Sequence, residues 1–163
     1  YKAYLKVIKN ISVYMPESKF IFLGNDNLNG QIQELIQSMN LLSNVKYLGF
    51  QENVSKFLNQ SSIFVLPSKY GEGCPTSILE AFSFRLPVIA YSIDGIPELV
   101  SQNVDGILVD KASNNSLENS IVDLLSNPEK AKKMGENGYQ KVQKHFLLSQ
   151  MIKEHNSFFR DLK

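Results

Sequence analysis

Short apolar runs alternate with amphipathic stretches over the first two thirds of this chain, and no other feature limits its possible folds as much. Five runs rich in Val, Ile, Phe or Tyr, at residues 19–23, 45–48, 63–67, 87–91 and 106–109, read as strands, and most are closed by Gly, Pro, Ser or Asp. Between them the helical period predicts helices at about 28–41, 54–60, 75–84 and, shorter, 96–101. Strand, crossover helix and strand in succession build a parallel sheet with right-handed connections. The expectation is therefore an α/β fold: a Rossmann-like, doubly wound parallel sheet with helices on both faces and strands buried on both sides.

The carboxyl third reads as helical. Leu117, Ile121, Leu124 and Leu125 share a face, with Asn115 and Glu118 spaced as a capping box. Asn127 then stands as cap and Pro128 in the first turn of the next helix. A last helix, about 147–161, carries Leu148, Met151, Ile152, His155, Phe158 and Phe159, apolar surface that either packs on this domain or meets another one. At the other end Ala3, Val7, Ile11 and Tyr14, beside Leu5 and Ile8, keep helical spacing from the opening turn, with no methionine or cap before them. This abrupt start leads us to expect a piece of a longer chain. With no internal repeat, linker or low-complexity stretch, residues 1–163 read as a single domain.

Composition narrows the functions. Hydrophobic residues make up 43% of the 163, enough for one sizeable core. The 17 basic and 16 acidic residues are scattered, giving a net charge of +1, so no sustained field favours nucleic acid or an anionic membrane. A single cysteine, Cys74, excludes an internal disulfide, and two distant histidines, His145 and His155, give no zinc-ligand spacing, so neither metal nor resident cofactor is expected. No apolar run approaches the roughly 20 residues that span a bilayer, hence no integral membrane segment and a soluble, cytoplasmic chain are expected. Asn10, Asn53, Asn59 and Asn114 head N-x-S sequons, read as chance in an asparagine-rich sequence.

Chemistry concentrates after the third strand. The segment from Ser68 to Ala81 leads from a strand into a helix, and the carboxyl end of a strand is where doubly wound sheets bind ligands. Gly71 and Gly73 permit close backbone approach, and the amides of Thr76 and Ser77 open a helix terminus suited to phosphate. Glu72 in the loop and Glu80 one turn into the helix can accept hydrogen bonds from sugar or ribose hydroxyls. The same residues have a plain alternative: Ser77-x-x-Glu80 is also a capping box, and Glu72 a solvated loop charge. Cys74 has no histidine near it in sequence to activate it, His155 fits a core or rim position, and Tyr70 either flanks a ligand or covers the core. Neither G-x-G-x-x-G nor a Walker sequence is present, which removes the usual dinucleotide and ATPase signatures.

Glu72-Gly-Cys-Pro-Thr-Ser-Ile-Leu-Glu80-Ala resembles the E-x(7)-E signature of the family 4 glycosyltransferases, which have the GT-B fold. Phe22-Leu-Gly-Asn-Asp26, Val45-Lys-Tyr-Leu-Gly49, Ile63-Phe-Val-Leu-Pro-Ser68, Leu86-Pro-Val-Ile-Ala90, Gly95-Ile-Pro-Glu98 and Gly106-Ile-Leu-Val109 resemble further motifs of that family, in order, over nearly the whole chain. The resemblance implies the carboxyl-terminal, donor-binding domain of a retaining, metal-independent enzyme. Its substrate would be a nucleotide-diphosphate sugar of UDP or GDP type. It places Glu72 against the donor sugar as the catalytic residue and Glu80 on the ribose, with Gly73, Cys74, Pro75, Thr76 and Ser77 along sugar and diphosphate. It also implies surface polysaccharide or glycan synthesis, on a glycan or lipid-linked acceptor held by an amino-terminal domain, with the full-length protein peripheral at the inner face of the membrane.

Two positions depart from the family pattern, Arg85 and Asp94, both where glycine is usual; Arg85 is expected to adopt a left-handed conformation unless the turn differs. The family's domain also opens with a central strand bearing an arginine and a lysine for the diphosphate, and this sequence starts just after it. The expected consequences are a fragment without transfer activity and a sheet in which the strands at 19 and 63 lack their common neighbour. Two other readings stand beside this one: another GT-B enzyme, such as a nucleotide-sugar epimerase, and a noncatalytic flavodoxin-like module in which Glu72 and Glu80 are dispensable.

Overall fold

The computed structural model of the chain describes residues 1–26 and 30–161. Helix α1 (Lys2–Tyr14) is followed by strand β1 (Phe20–Phe22), α2 (Gln31–Ser38), β2 (Val45–Tyr47), α3 (Ser55–Leu58), β3 (Phe64–Leu66), α4 (Thr76–Ser83), β4 (Val88–Tyr91), α5 (Ile96–Leu99), β5 (Gly106–Val109), α6 (Asn114–Ser126), α7 (Pro128–His145) and α8 (Leu148–Asp161). Every expected strand and helix is present, most shorter by a residue or two at each end; the expected start of the second helix, at 28, lies outside the described residues.

All strand pairs are parallel, and helices cover both faces, as the alternating pattern requires. The strands form two sheets, β1-β2 and β3-β4-β5. Phe20 pairs with Val45 in the first, Val65 with Ile89 and Ile89 with Ile107 in the second. Among the described residues β1 and β3 each have one edge without a strand partner, as expected of strands that lack a common neighbour, whereas the division into two sheets departs from the single sheet expected. Burial on both faces, however, holds only for β4, which has a neighbour on each side and is buried at all four residues. β3 is half-buried throughout, and Ile21 of β1 is 42% exposed, because a strand at an open edge has fewer side chains to lie against.

The two sheets have separate cores, and α1 serves both. Leu5 and Ile8 join Phe22, Ile32, Ile36 and Val45, whereas Val7 and Ile11 join the larger core around Phe82, Ile89 and Leu117. One helix can do this because these two pairs lie on adjoining stripes of its surface. Tyr14, expected on that face, is instead exposed at its end.

The carboxyl helices seat the larger sheet, with caps that differ from the sequence expectation. Ser113, not Asn115, caps α6, its hydroxyl accepting from the Ser116 amide at 3.2 Å, while Glu118 accepts from Asn10 of α1 at 2.8 Å. Asn127 and Pro128 do open α7, but the Asn127 amide turns back to the Asp123 carbonyl at 2.8 Å rather than capping. Lys141 of α7 ion-pairs with the fully buried Asp105 and donates to the Leu99 carbonyl at 2.7 Å, fastening the turn before β5.

Candidate functional site

Two loops meet at the carboxyl ends of neighbouring strands. After β3 the chain turns outward through Tyr70, 85% exposed, and Gly71, whose φ of +81° is in the region that glycine favours. After β4 it passes Asp94 and Gly95 into α5. The Gly71 and Glu72 amides donate to Asp94 Oδ2 at 2.9 and 3.1 Å, and the Gly95 amide donates to the Glu72 carbonyl at 3.0 Å. Packing is so close that a Cβ on Gly95 would stand 1.7 Å from the Gly73 carbonyl oxygen, so only glycine fits there.

From this junction the chain enters α4. Pro75, extended at φ −68° and ψ 105°, is the residue before the first helical turn, and no side chain caps the helix. The capping-box alternative for Ser77 and Glu80 is therefore not what the chain adopts: Ser77 lies at the second helical position and makes no cap. Ile78, Ala81 and Phe82 are buried and turn α4 toward the core. That orientation leaves Thr76 and Glu80 exposed, Ser77 half-buried, and Gly73 and Cys74 open to solvent beyond the half-buried Glu72. All seven residues singled out by sequence line one continuous stretch, with a buried proline as its pivot and a helix amino terminus, the positive end of its dipole, in the middle.

The stretch forms an open ledge. Hollows of about 250 and 380 Å³ lie elsewhere, one between α1 and α6 beside Lys6 and Glu118, the other lined by Leu79, His155 and Met151. Among the described residues no three His, Cys, Asp or Glu side chains gather as a metal site requires, and no helix is long and apolar enough to cross a membrane.

Both departures noted in the sequence are explained locally. Arg85 has φ +56°, the left-handed conformation expected at a glycine position. Its guanidinium lies 3.7 Å from the Tyr139 ring centroid and its Nε donates to Glu136 at 3.0 Å, ties to α7 that a glycine could not make. Asp94, also left-handed at φ +47°, bonds the loop that bears Glu72. Sequence reading noticed Asp94 without giving it a role; its partners lie 22 and 23 residues away, beyond any local pattern.

Fold and ledge together define an α/β domain that offers two loops and a helix terminus at the carboxyl ends of parallel strands, the GT-B half-domain arrangement. Residues 1–141 match the family described as glycosyl transferases group 1, and the chain belongs to that family. It is 42% identical over 86 residues to an uncharacterized glycosyltransferase of Methanocaldococcus jannaschii, covering 53% of this chain and 21% of that protein. It is 36% identical over 109 residues to the UDP-Gal:alpha-D-GlcNAc-diphosphoundecaprenol alpha-1,3-galactosyltransferase of Escherichia coli, covering 66% of this chain and 28% of the relative. The sucrose-phosphate synthase structure from Thermosynechococcus elongatus superposes with a TM-score of 0.85 at 25% identity, over 99% of this chain and 41% of that one. The chain thus spans well under half the length of these relatives.

Proposed function

We propose that this chain is the carboxyl-terminal, donor-binding domain of a retaining family 4 glycosyltransferase, which transfers a sugar from a nucleotide-diphosphate sugar to a glycan or lipid-linked acceptor in polysaccharide or glycan synthesis. The observation that carries the reading is the uncapped amino terminus of α4, exposed directly behind a loop held against the carboxyl ends of β3 and β4. Free helix amides and the dipole favour the diphosphate, both in the bound donor and as a leaving group gaining charge. Glu72 faces the sugar, Glu80 accepts from the ribose hydroxyls, and the backbone of Gly73, Cys74, Pro75, Thr76 and Ser77 follows the sugar and diphosphate. The chemistry needs no metal if amides and cations share the charge. The Escherichia coli relative, named for a UDP-galactose donor and a lipid-diphosphate acceptor, supports a UDP-type donor and an acceptor at the membrane face.

The acceptor site, and the cations that neutralise the diphosphate, belong in this reading to other parts of the protein. The edges of β1 and β3 that carry no strand partner among the described residues support it, since each can take a further parallel strand. The 163 residues by themselves then bind donor weakly and turn none over. Calorimetric titration with UDP, GDP and ADP, repeated on Glu80→Ala, tests the assignment. Binding of one diphosphate, weakened about tenfold or more by loss of the ribose contact, is the expected result; equal affinity in the variant removes Glu80 from the site.

A further inference from the structure

At φ +47° Asp94 holds a conformation that glycine accepts freely and aspartate only with support. The support comes from another loop. Two backbone donors, the amides of Gly71 and Glu72, converge on one oxygen of its carboxylate at 2.9 and 3.1 Å. Bonds to an ionised acceptor are roughly twice as strong as neutral ones. The next residue grips Glu72 through its following peptide, by the 3.0 Å bond from the Gly95 amide to the Glu72 carbonyl. Glu72 therefore has both its amide and its carbonyl bonded to a single two-residue turn. Gly71, at φ +81°, would otherwise leave this loop much conformational freedom, and Tyr70 before it is 85% exposed and anchors nothing.

We infer that Asp94 is a positioning residue for the donor loop: its carboxylate fixes the backbone of Glu72, and with it the direction of the Glu72 side chain and the path of 73–77 for a nucleoside diphosphate sugar. The inference rests on the donor-site reading above. It also restricts where the donor's negative charge can sit. The Gly71 and Glu72 amides are already occupied by a carboxylate that repels a second anion, so the diphosphate is left with the amides on the α4 side of the loop. Binding order in the loop before the donor arrives lowers the entropy cost of binding it.

Two variants separate the carboxylate from the backbone. Asp94→Gly deletes the carboxylate and gives the left-handed turn the residue that suits it best, and Asp94→Asn keeps an acceptor without the charge. Amide hydrogen exchange on the isotope-labelled chain, without ligand, should show Gly71 and Glu72 protected in the wild type, unprotected in Asp94→Gly and partly protected in Asp94→Asn. Titration with UDP-glucose and GDP-mannose should show the preferred donor binding about tenfold more weakly to Asp94→Gly, with partial rescue by Asp94→Asn. Exchange at Gly71 and Glu72 that is unchanged in Asp94→Gly overturns the proposal. So does unchanged or tighter donor affinity in that variant, which leaves the donor site itself standing. A wild-type chain that binds neither sugar nucleotide nor UDP overturns the donor-site reading and this proposal together.

Discussion

Arg85 shows how a single residue can occupy a position that glycine would take more readily. Its left-handed backbone is offset by stacking on Tyr139 and by the exposed pair with Glu136. Arg85→Ala and Arg85→Gly lose the same contacts and differ in the backbone penalty alone, so Arg85→Gly should be the more stable of the two by about 1 kcal/mol in urea denaturation. Equal stability would mean the turn carries no strain. Tyr4, half-buried and stacked on Phe22 at 5.5 Å, makes a second prediction. Burial pushes its phenol well above the ordinary tyrosine value, and the nearby Tyr91 adds to the shift; burial moves Tyr91 the same way. A group with a raised folded value holds its proton in the folded state after the unfolded chain has released it. Its contribution is thus complete below pH 10 and lost as pH rises from there. Tyr4→Phe should leave stability at pH 7 little changed and flatten the alkaline fall, measured as unfolding midpoints from pH 8 to 11. A steeper fall in the variant would contradict this.

At the scale of elements, α8 stands apart. Leu148, Met151, Ile152, Phe158 and Phe159 are 49–67% exposed, and the helix packs mainly on α7, a contact that leaves much of its apolar surface in water. Apolar groups that stay in water add little to stability. Ending the chain after Phe146 should cost under about 1 kcal/mol in chemical denaturation; a loss of several would show that α8 holds the core. The elements themselves were legible in the sequence because each has a strong period or run, as in β4 and α6. Their caps were less so. Asn115 and Glu118 have the spacing of a capping box, yet Ser113 two residues earlier takes the cap and Glu118 reaches α1 instead. Several Asn and Ser residues compete at that terminus, and tertiary contact decides among them. At α4 a proline with no N–H precedes the helix, and the Ser77–Glu80 spacing goes unused.

For the whole molecule, the sequence conveyed a parallel α/β fold and, through the family resemblance, strands at 19 and 63 without a common neighbour, but not that the strands would form two sheets or that α1 would join their cores. The face that permits this was visible as apolar spacing, and which stripe meets which sheet depends on packing between elements far apart in the chain. The candidate site divides the same way. Its residues are contiguous from Glu72 to Glu80 and could be read directly, whereas the junction with Asp94 and Gly95 exists only once β3 and β4 are paired. The central claim is that this junction and the α4 terminus bind a nucleoside diphosphate, and mapping amide shifts of the labelled chain during titration with UDP tests it most directly. The account predicts shifts concentrated in residues 70–81 and 92–96. Shifts confined to the hollow beside α8 or to the α1–α6 crevice, with the ledge unmoved, would contradict it.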